Sequence, residues 1–373
     1  MIKILEGFTK NSYGGISQYI YNSYLYRDES KIEYDFLYLD SEPYYAPYCK
    51  AQGSNFYRVP KIWQIYQYYR LLKSLYVKKH YDYIYFNISY CNCVPVLLSK
   101  LAGFKQIVCH AHANGFESTN MYKKILIFVY HRLSKIILKI LNITMFFSCS
   151  KEASSFMFGN NKTIIIKNAI DVSKYIFNND IRKIVREKLR ISNDTLVMGH
   201  VGRFEKAKNH MFLIRIFEHV LCKNNNVKLL LIGTGSELQK VKEYIKEKQL
   251  MDKVIFLGTR EDVHELLQAM DVFVMPSEFE GFGMACLEAQ ASGLPCIISD
   301  RIPKSVGVTP LVKYLSLSLS VNVWANVILS EIVKERQDYS KLILEKGFDL
   351  KEETKRVEQI LKAKLKKEDE DNV

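Results

Sequence analysis

Residues 276–299 read Pro-Ser-Glu-Phe-Glu-Gly-Phe-Gly-Met-Ala-Cys-Leu-Glu-Ala-Gln-Ala-Ser-Gly-Leu-Pro-Cys-Ile-Ile-Ser. The apolar residues 272–275 just before them predict the end of a buried strand, and a short helix is expected from about Met284. Gly-Leu-Pro stops that helix, and a second buried strand follows. Gly281 and Gly283 let the backbone approach a ligand, while the first amides of the helix are unpaired donors at the positive end of its dipole. Glu280 in the loop and Glu288 on the helix frame this anion site. Carboxylates accept paired hydrogen bonds from vicinal diols, which suits ribose and hexose.

Working outward, residues 196–209 predict a strand ending at Gly202 that delivers Arg203 to the edge of a sheet, with Lys208 at the start of the next helix. A guanidinium and an ammonium converging there suit a diphosphate, whose charge must be neutralised as its bond to a sugar breaks. Residues 229–235 and 254–260 form two more strand-to-glycine turns, the second carrying Gly258 and Arg260. Near the start, Gly14 and Gly15 sit at a strand-to-helix junction, where the turn is either a plain tight turn or a means of bringing phosphate to backbone amides. Strand 106–110 runs on to His110 and His112. Period two puts both on one face, and each reads either as a ligand contact beyond the strand end or as a satisfied buried histidine.

At 373 residues, 48% hydrophobic and 25% charged, the chain has the length for two globular domains. Met1 opens directly on Ile-Lys-Ile-Leu, so no signal peptide is expected, and no apolar run approaches a membrane span. The eight scattered cysteines show no metal-ligand spacing, which points to a reducing cytoplasm and no zinc site. The first 175 residues carry 22 Lys/Arg against 11 Asp/Glu, the remainder 31 against 29. The basic, tyrosine-rich first half is therefore expected to meet something anionic. Residues 121–147 contain Lys123, Lys124, Arg132, Lys135 and Lys139 and no acid. That segment is either a helix lying on an anionic membrane surface or a core helix with a solvated basic face. Nucleic acid is not expected, because no interleaved basic and aromatic motif accompanies the charge.

The string around Glu280 and Glu288 resembles the Glu-x7-Glu signature of retaining glycosyltransferases of the GT-B group, in the GT4 or group 1 type that includes bacterial capsule and exopolysaccharide transferases. Residues 202–209 resemble the same family's Gly-Arg…Lys-Asn phosphate clamp. Residues 146–153 and 163–171 resemble its last N-domain strands, with Ala169 where the family commonly has Gly. The resemblance implies a GT-B fold of two doubly wound Rossmann-like α/β domains facing across a cleft. The expected division is 1–172 for the acceptor, 173–350 for the nucleotide sugar, and 351–373 for a helix returning toward the first domain, with residues 368–371 frayed. Residues 178–193, polar and charged, are expected to belong to the crossing between domains.

The resemblance also implies transfer of a hexose or N-acetylhexosamine from a nucleoside diphosphate sugar, expected to be UDP-linked, with retention. Arg203 and Lys208 would stabilise the diphosphate and Glu288 would hold the ribose. Glu280 and the amides of Phe282, Gly283, Met284 and Ala285 would orient the sugar, which His112 would contact from the other domain. Gly14 and Gly15 would face the diphosphate, and Arg260 would line the base pocket. No metal or cofactor is expected, since the sole Asp-x-Asp, Asp369 to Asp371, lies in the tail. The expected acceptor is a glycan, lipid-linked, at the cytoplasmic face of the membrane. Two other readings share these features: a sugar-nucleotide epimerase of the same fold, and a catalytically idle membrane-associated partner subunit.

Overall fold

The computed structural model describes residues 1–9, 14–115, 121–141, 145–159, 161–332 and 335–371, with the backbone alone at 8, 121–124, 368, 369 and 371. Residues 10–13 of the first glycine loop and the side chains of Lys123, Lys124, Asp369 and Asp371 thus lie outside the description. Two units emerge, Met1–Asn168 with Leu350–Val373, and Ala169–Asp349.

The first unit runs β1 (Ile2–Thr9), α1 (Gly15–Leu25), β2 (Ile32–Tyr38), α2 (Ala46–Ala51), β3 (Phe56–Arg58), α3 (Ile65–Lys79), β4 (Tyr83–Ile88), α4 (Cys93–Ala102), β5 (Gln106–Ala111), α5 (Met121–Ile140), β6 (Met145–Ser148), α6 (Lys151–Phe158) and β7 (Ile164–Ile165). The second runs α7 (Asn179–Lys188), β8 (Leu196–Val201), α8 (His210–Lys223), β9 (Val227–Ile232), α9 (Leu238–Glu247), β10 (Val254–Phe256), α10 (Val263–Ala269), β11 (Val272–Met275), α11 (Met284–Ala291), β12 (Cys296–Ser299), β13 (Val312–Leu315), α12 (Val321–Ser330) and α13 (Ser340–Glu345). Helix α14 (Leu350–Asp371) returns to the first unit, where Val357 and Leu361 join its core and the Leu361 carbonyl accepts from Tyr83 Oη at 2.7 Å.

Every strand pairing among the described residues is parallel, which is why the strands are apolar on both faces rather than alternating. The orders are β3-β2-β1-β4-β5-β6-β7 and β10-β9-β8-β11-β12-β13. In each sheet the order reverses beside the first strand, between β1 and β4 and between β8 and β11. Ligands of open α/β sheets bind in the crevice beyond the strand ends at such a reversal.

Two expectations are corrected. Residues 178–193 contain a helix of the second unit, α7, capped by Asn178. Its polarity misleads, because Arg182 and Arg186 turn inward to Asp271 at 2.6 and 2.7 Å. The chain end does not fray at residues 368–371, since α14 continues to Asp371.

Helix α5 is inside out. The residues it buries are His131, Ser134 and Leu138, while Leu126, Leu133, Ile136 and Ile140 are 71%, 55%, 60% and 76% exposed. Polar side chains fasten it: His131 Nδ1 accepts from the Cys91 amide at 3.1 Å and Ser134 Oγ from the Cys93 amide at 3.3 Å. The segment packs on the core through a narrow stripe that includes Leu138 and leaves most of its described apolar residues exposed.

The turns after β8 and β9 lie backbone against backbone. Phe204 N donates to Thr234 O at 2.9 Å, and Gly233, at φ +136°, would bring a Cβ to 2.1 Å from Gly202 O. Gly258 also has positive φ, but a Cβ there meets nothing. Replacing Gly233 by alanine should cost at least about 3 kcal/mol in urea unfolding, against about 1 kcal/mol for Gly258→Ala. Equal losses would mean that the close approach is not a constraint.

Candidate functional site

In the second unit the reversal point lies between the turn after β8 and the loop after β11. The Glu278 amide donates to Ala207 O at 2.7 Å, tying loop to turn. That tie carries Lys208 to Glu280, and Lys208 Nζ donates to Glu280 Oε2 at 2.5 Å. Ser277 Oγ donates to Glu280 Oε1 at 2.9 Å, so both oxygens of this buried carboxylate are engaged. Among the described residues Glu280 is the one acceptor that Lys208 meets, and an ammonium has three donors. Two of them stay available for an anion.

Beneath the pair lies His200 of β8, fully buried, its Nδ1 donating to Val274 O on β11 at 2.8 Å. Burial pushes its pKa down to about 4, with Lys208 adding to the effect, so the ring is neutral. A Cβ on Gly202 would stand 3.0 Å from His200 Nε2 and 3.7 Å from Lys208 Cδ, so glycine lets the chain turn over this cluster. Arg203 is exposed on the same turn.

Gly283, at φ +100° and ψ 50°, is the N-cap of α11, and a Cβ there would press on Met275 Cε at 3.3 Å. The amides of Met284 and Ala285 meet no acceptor among the described residues, as expected of a first helical turn. The Phe282 ring packs inward on Phe348, centroids 5.6 Å apart, which leaves only its backbone for a ligand. Glu288, one turn on, is half-buried. Desolvation raises its pKa to about 7, opposed by a hydrogen bond from Tyr175.

Arg260 stands apart from this cluster. Its turn follows β10, two strands from β8, and the guanidinium is spent on Asp262 at 2.7 and 2.5 Å.

In the first unit, Gly14 takes an extended φ of −81°, and a Cβ on exposed Gly15 meets nothing. Neither the Gly14 backbone angle nor the space at Gly15 demands glycine. His110 and His112 share a face as expected, ring centroids 4.0 Å apart. His110 is fully buried against Tyr85 Oη at 2.8 Å, while half-buried His112 bonds Asn87 Oδ1 through Nε2 at 2.7 Å. Burial lowers the His112 pKa to about 3, so this ring is neutral too. Among the described residues no group of three or more His, Cys, Asp or Glu could hold a metal ion.

Sequence reasoning missed Ser277, Tyr175, Glu6 and Asn87. Ser277 alone left a trace, three residues before Glu280.

The raised Glu288 pKa has a consequence for stability. An acid whose folded pKa exceeds its unfolded value of about 4.5 stabilises fully below that value and loses the contribution as pH rises through the folded pKa. Glu288→Gln should therefore match the parent near pH 4.5 and exceed it by about 2 kcal/mol at pH 8, after allowance for screening at a half-buried carboxyl. Parallel chemical denaturation curves at the two pH values measure this, and an unchanged difference between them would contradict the buried acid.

The family model described as "Glycosyl transferases group 1" matches residues 181–308. The chain is 30% identical over 364 residues to the putative glycosyltransferase EpsF of Bacillus subtilis (strain 168), covering 94% of this chain and 92% of that protein. It is 29% identical over 245 residues, 62% of this chain and 60% of the relative, to an Escherichia coli UDP-Gal:alpha-D-GlcNAc-diphosphoundecaprenol alpha-1,3-galactosyltransferase. Among solved structures, Anabaena Alr3699/HepE in complex with UDP and glucose matches with TM-score 0.73 at 17% identity over 99% of both chains. WaaG, a glycosyltransferase involved in lipopolysaccharide biosynthesis, matches with TM-score 0.61 at 14% identity over 96% of this chain and 95% of that one. The architecture shared with these structures is GT-B.

Proposed function

The chain belongs to the group 1 glycosyltransferases, and from that premise we propose that it moves a hexose or N-acetylhexosamine from a UDP-sugar to a lipid-linked glycan, with retention, in bacterial surface polysaccharide assembly. The observation that carries the reading is the Lys208 ammonium, held by Glu280 beside the open amides of α11 at the sheet's reversal point. Cation and helix end belong to a turn and a loop joined by the Glu278–Ala207 and Lys208–Glu280 bonds, an arrangement that suits the diphosphate of a sugar nucleotide.

In this reading Arg203 and Lys208 take up the charge of the departing diphosphate, and no metal ion is needed. Glu288 accepts from the ribose hydroxyls. Glu280 and the amides of residues 282–285 orient the sugar, and Arg260 lies beside the base. Gly14, Gly15 and His112 are the first unit's own candidates for contact with substrate. Retention rests on the family resemblance, and anomeric NMR of the product decides it. The uridine base is supported by the UDP bound in the Anabaena structure and by the UDP-Gal named as donor of the Escherichia coli relative, and the lipid carrier by the diphosphoundecaprenol of that same relative.

A thermal-shift series with UDP, GDP, ADP and CDP tests the donor site. UDP at about 100 times its Kd should add about 2.7 kcal/mol of stability. Arg203→Ala should lose most of that shift. Lys208→Ala should lower kcat/KM about a hundredfold, and a loss within about twofold would remove Lys208 from the mechanism.

A lipid-linked acceptor requires the enzyme at a membrane, and α5 supplies a face for it. No acid lies on the helix, and Arg132 and Lys139 flank the exposed Leu126, Leu133, Ile136 and Ile140, while Lys135 Nζ donates to Phe156 O at 2.9 Å. No helix among the described residues is long and apolar enough to cross a membrane, so this contact would be peripheral. The protein should sediment with phosphatidylglycerol vesicles at low salt, while the double variant Leu126→Glu, Ile136→Glu should stay in the supernatant yet keep its UDP shift. Failure of the parent protein to bind these vesicles would count against peripheral attachment.

A further inference from the structure

The first sheet has its own reversal point, between β1 and β4, and three polar side chains are linked beside it. Glu6 lies on β1 and Asn87 on β4, 4% and 3% exposed, and His112 follows β5. Asn87 Nδ2 donates to Glu6 Oε1, and Asn87 Oδ1 lies 2.7 Å from His112 Nε2. No cation pairs with Glu6 among the described residues. A carboxyl and an amide buried between apolar strands are costly to keep, and an apolar pair would fill the same space without that cost.

The chain of bonds has a direction. In the first bond Asn87 Nδ2 is the donor and Glu6 Oε1 the acceptor. That turns the Asn87 NH2 toward β1 and its carbonyl oxygen toward β5. A carbonyl oxygen only accepts, so the proton of the neutral His112 ring must sit on Nε2, leaving Nδ1 as a lone-pair acceptor. No partner for Nδ1 exists among the described residues. The plane of the ring is held separately, by Tyr19 at 4.9 Å and His110 at 4.0 Å between centroids.

We infer that Glu6 and Asn87 are positioning residues that lock His112 as its Nε2–H tautomer, so that His112 meets a substrate hydroxyl as an acceptor through Nδ1. The ligand group that fits is a neutral hydroxyl of a sugar or polyol. Phosphate or carboxylate oxygens are repelled by the lone pair. This rests on the transferase reading for the identity of the substrate, but the tautomer itself does not.

The full-length protein labelled with 15N-histidine tests the tautomer directly. Long-range 1H–15N correlation at about pH 7.5, with His112 assigned through His112→Phe, should show a neutral ring protonated on Nε2. Asn87→Leu should abolish that bias. A ring protonated on Nδ1, a cationic ring, or a spectrum indifferent to Asn87→Leu would overturn the inference.

Kinetics with the UDP-sugar selected by thermal shift then separates positioning from mere structure. Glu6→Leu and Asn87→Leu should lower kcat/KM about tenfold or more, while Glu6→Gln, whose amide oxygen still accepts, should stay within about threefold of the parent. The UDP-induced shift, which reports the second unit, should persist in all three. Full activity in Glu6→Leu, or equal loss in Glu6→Gln, would overturn the positioning role. Absence of any nucleotide shift in the parent protein would instead sink the transferase reading and leave the NMR result to be judged alone.

Discussion

Parallel strands deliver all their C-terminal ends to one edge, and in both sheets the order of strands reverses beside the first strand, at β1/β4 and at β8/β11. Lys208 and Glu280 in the second unit, and Glu6, Asn87 and His112 in the first, hang from those reversals. At each one, two crossover connections leave in opposite directions. Backbone amides and short side chains can therefore reach a bound molecule there without being displaced by the protein's own packing. The glycines that close this edge in the second unit are explained by contact: Gly233 by Gly202 O, Gly283 by Met275.

The second unit uses this geometry for charge. Lys208 gives one of its three donors to Glu280, and Ser277 completes the carboxylate. An unpaired ammonium at a half-buried position would be destabilising, whereas this pair keeps the cation in place and loses nothing essential when a phosphate arrives, because the ammonium can bond both. His200 beneath adds a neutral ring that ties β8 to β11. In the proposed transfer, preorganisation of this kind would let fixed charge act on a departing diphosphate without waiting for side chains to rearrange.

Much of the frame was legible because its signals are local. The apolar run 272–275, the glycines and the Gly-Leu-Pro stop predict β11, α11 and β12 where they lie. What escaped depends on contacts distant in sequence. Lys208 and Glu280 were each legible as candidates, but their mutual bond crosses 72 positions. Tyr175 reaches Glu288 from the start of the unit. Glu6 looks like a solvent-facing residue in a strand that also carries Lys3, and only burial of β1 between β2 and β4 reveals it as an interior acid whose pKa rises to about 8 through desolvation. Residues 178–193 fail for the opposite reason, since their arginines look like linker charge yet are the internal partners of Asp271.

The excess positive charge of the first half does not collect at that half's reversal point. The groups there are an uncharged carboxyl, an amide and two neutral imidazoles, and desolvation acts on the acid and both rings to keep them so. An anionic substrate would find no counter-charge among them. On α5, by contrast, Arg132, Lys135 and Lys139 share one helix with the exposed apolar face and have no acid beside them on it. The anion that the basic half meets is therefore better sought over that helix, at a surface, than at the strand ends, and the strand ends are left to recognise hydroxyls. On the proposed reading the chain separates two kinds of recognition that net charge alone would merge: fixed cations at β8/β11 for a phosphate, and neutral acceptors at β1/β4 for a sugar.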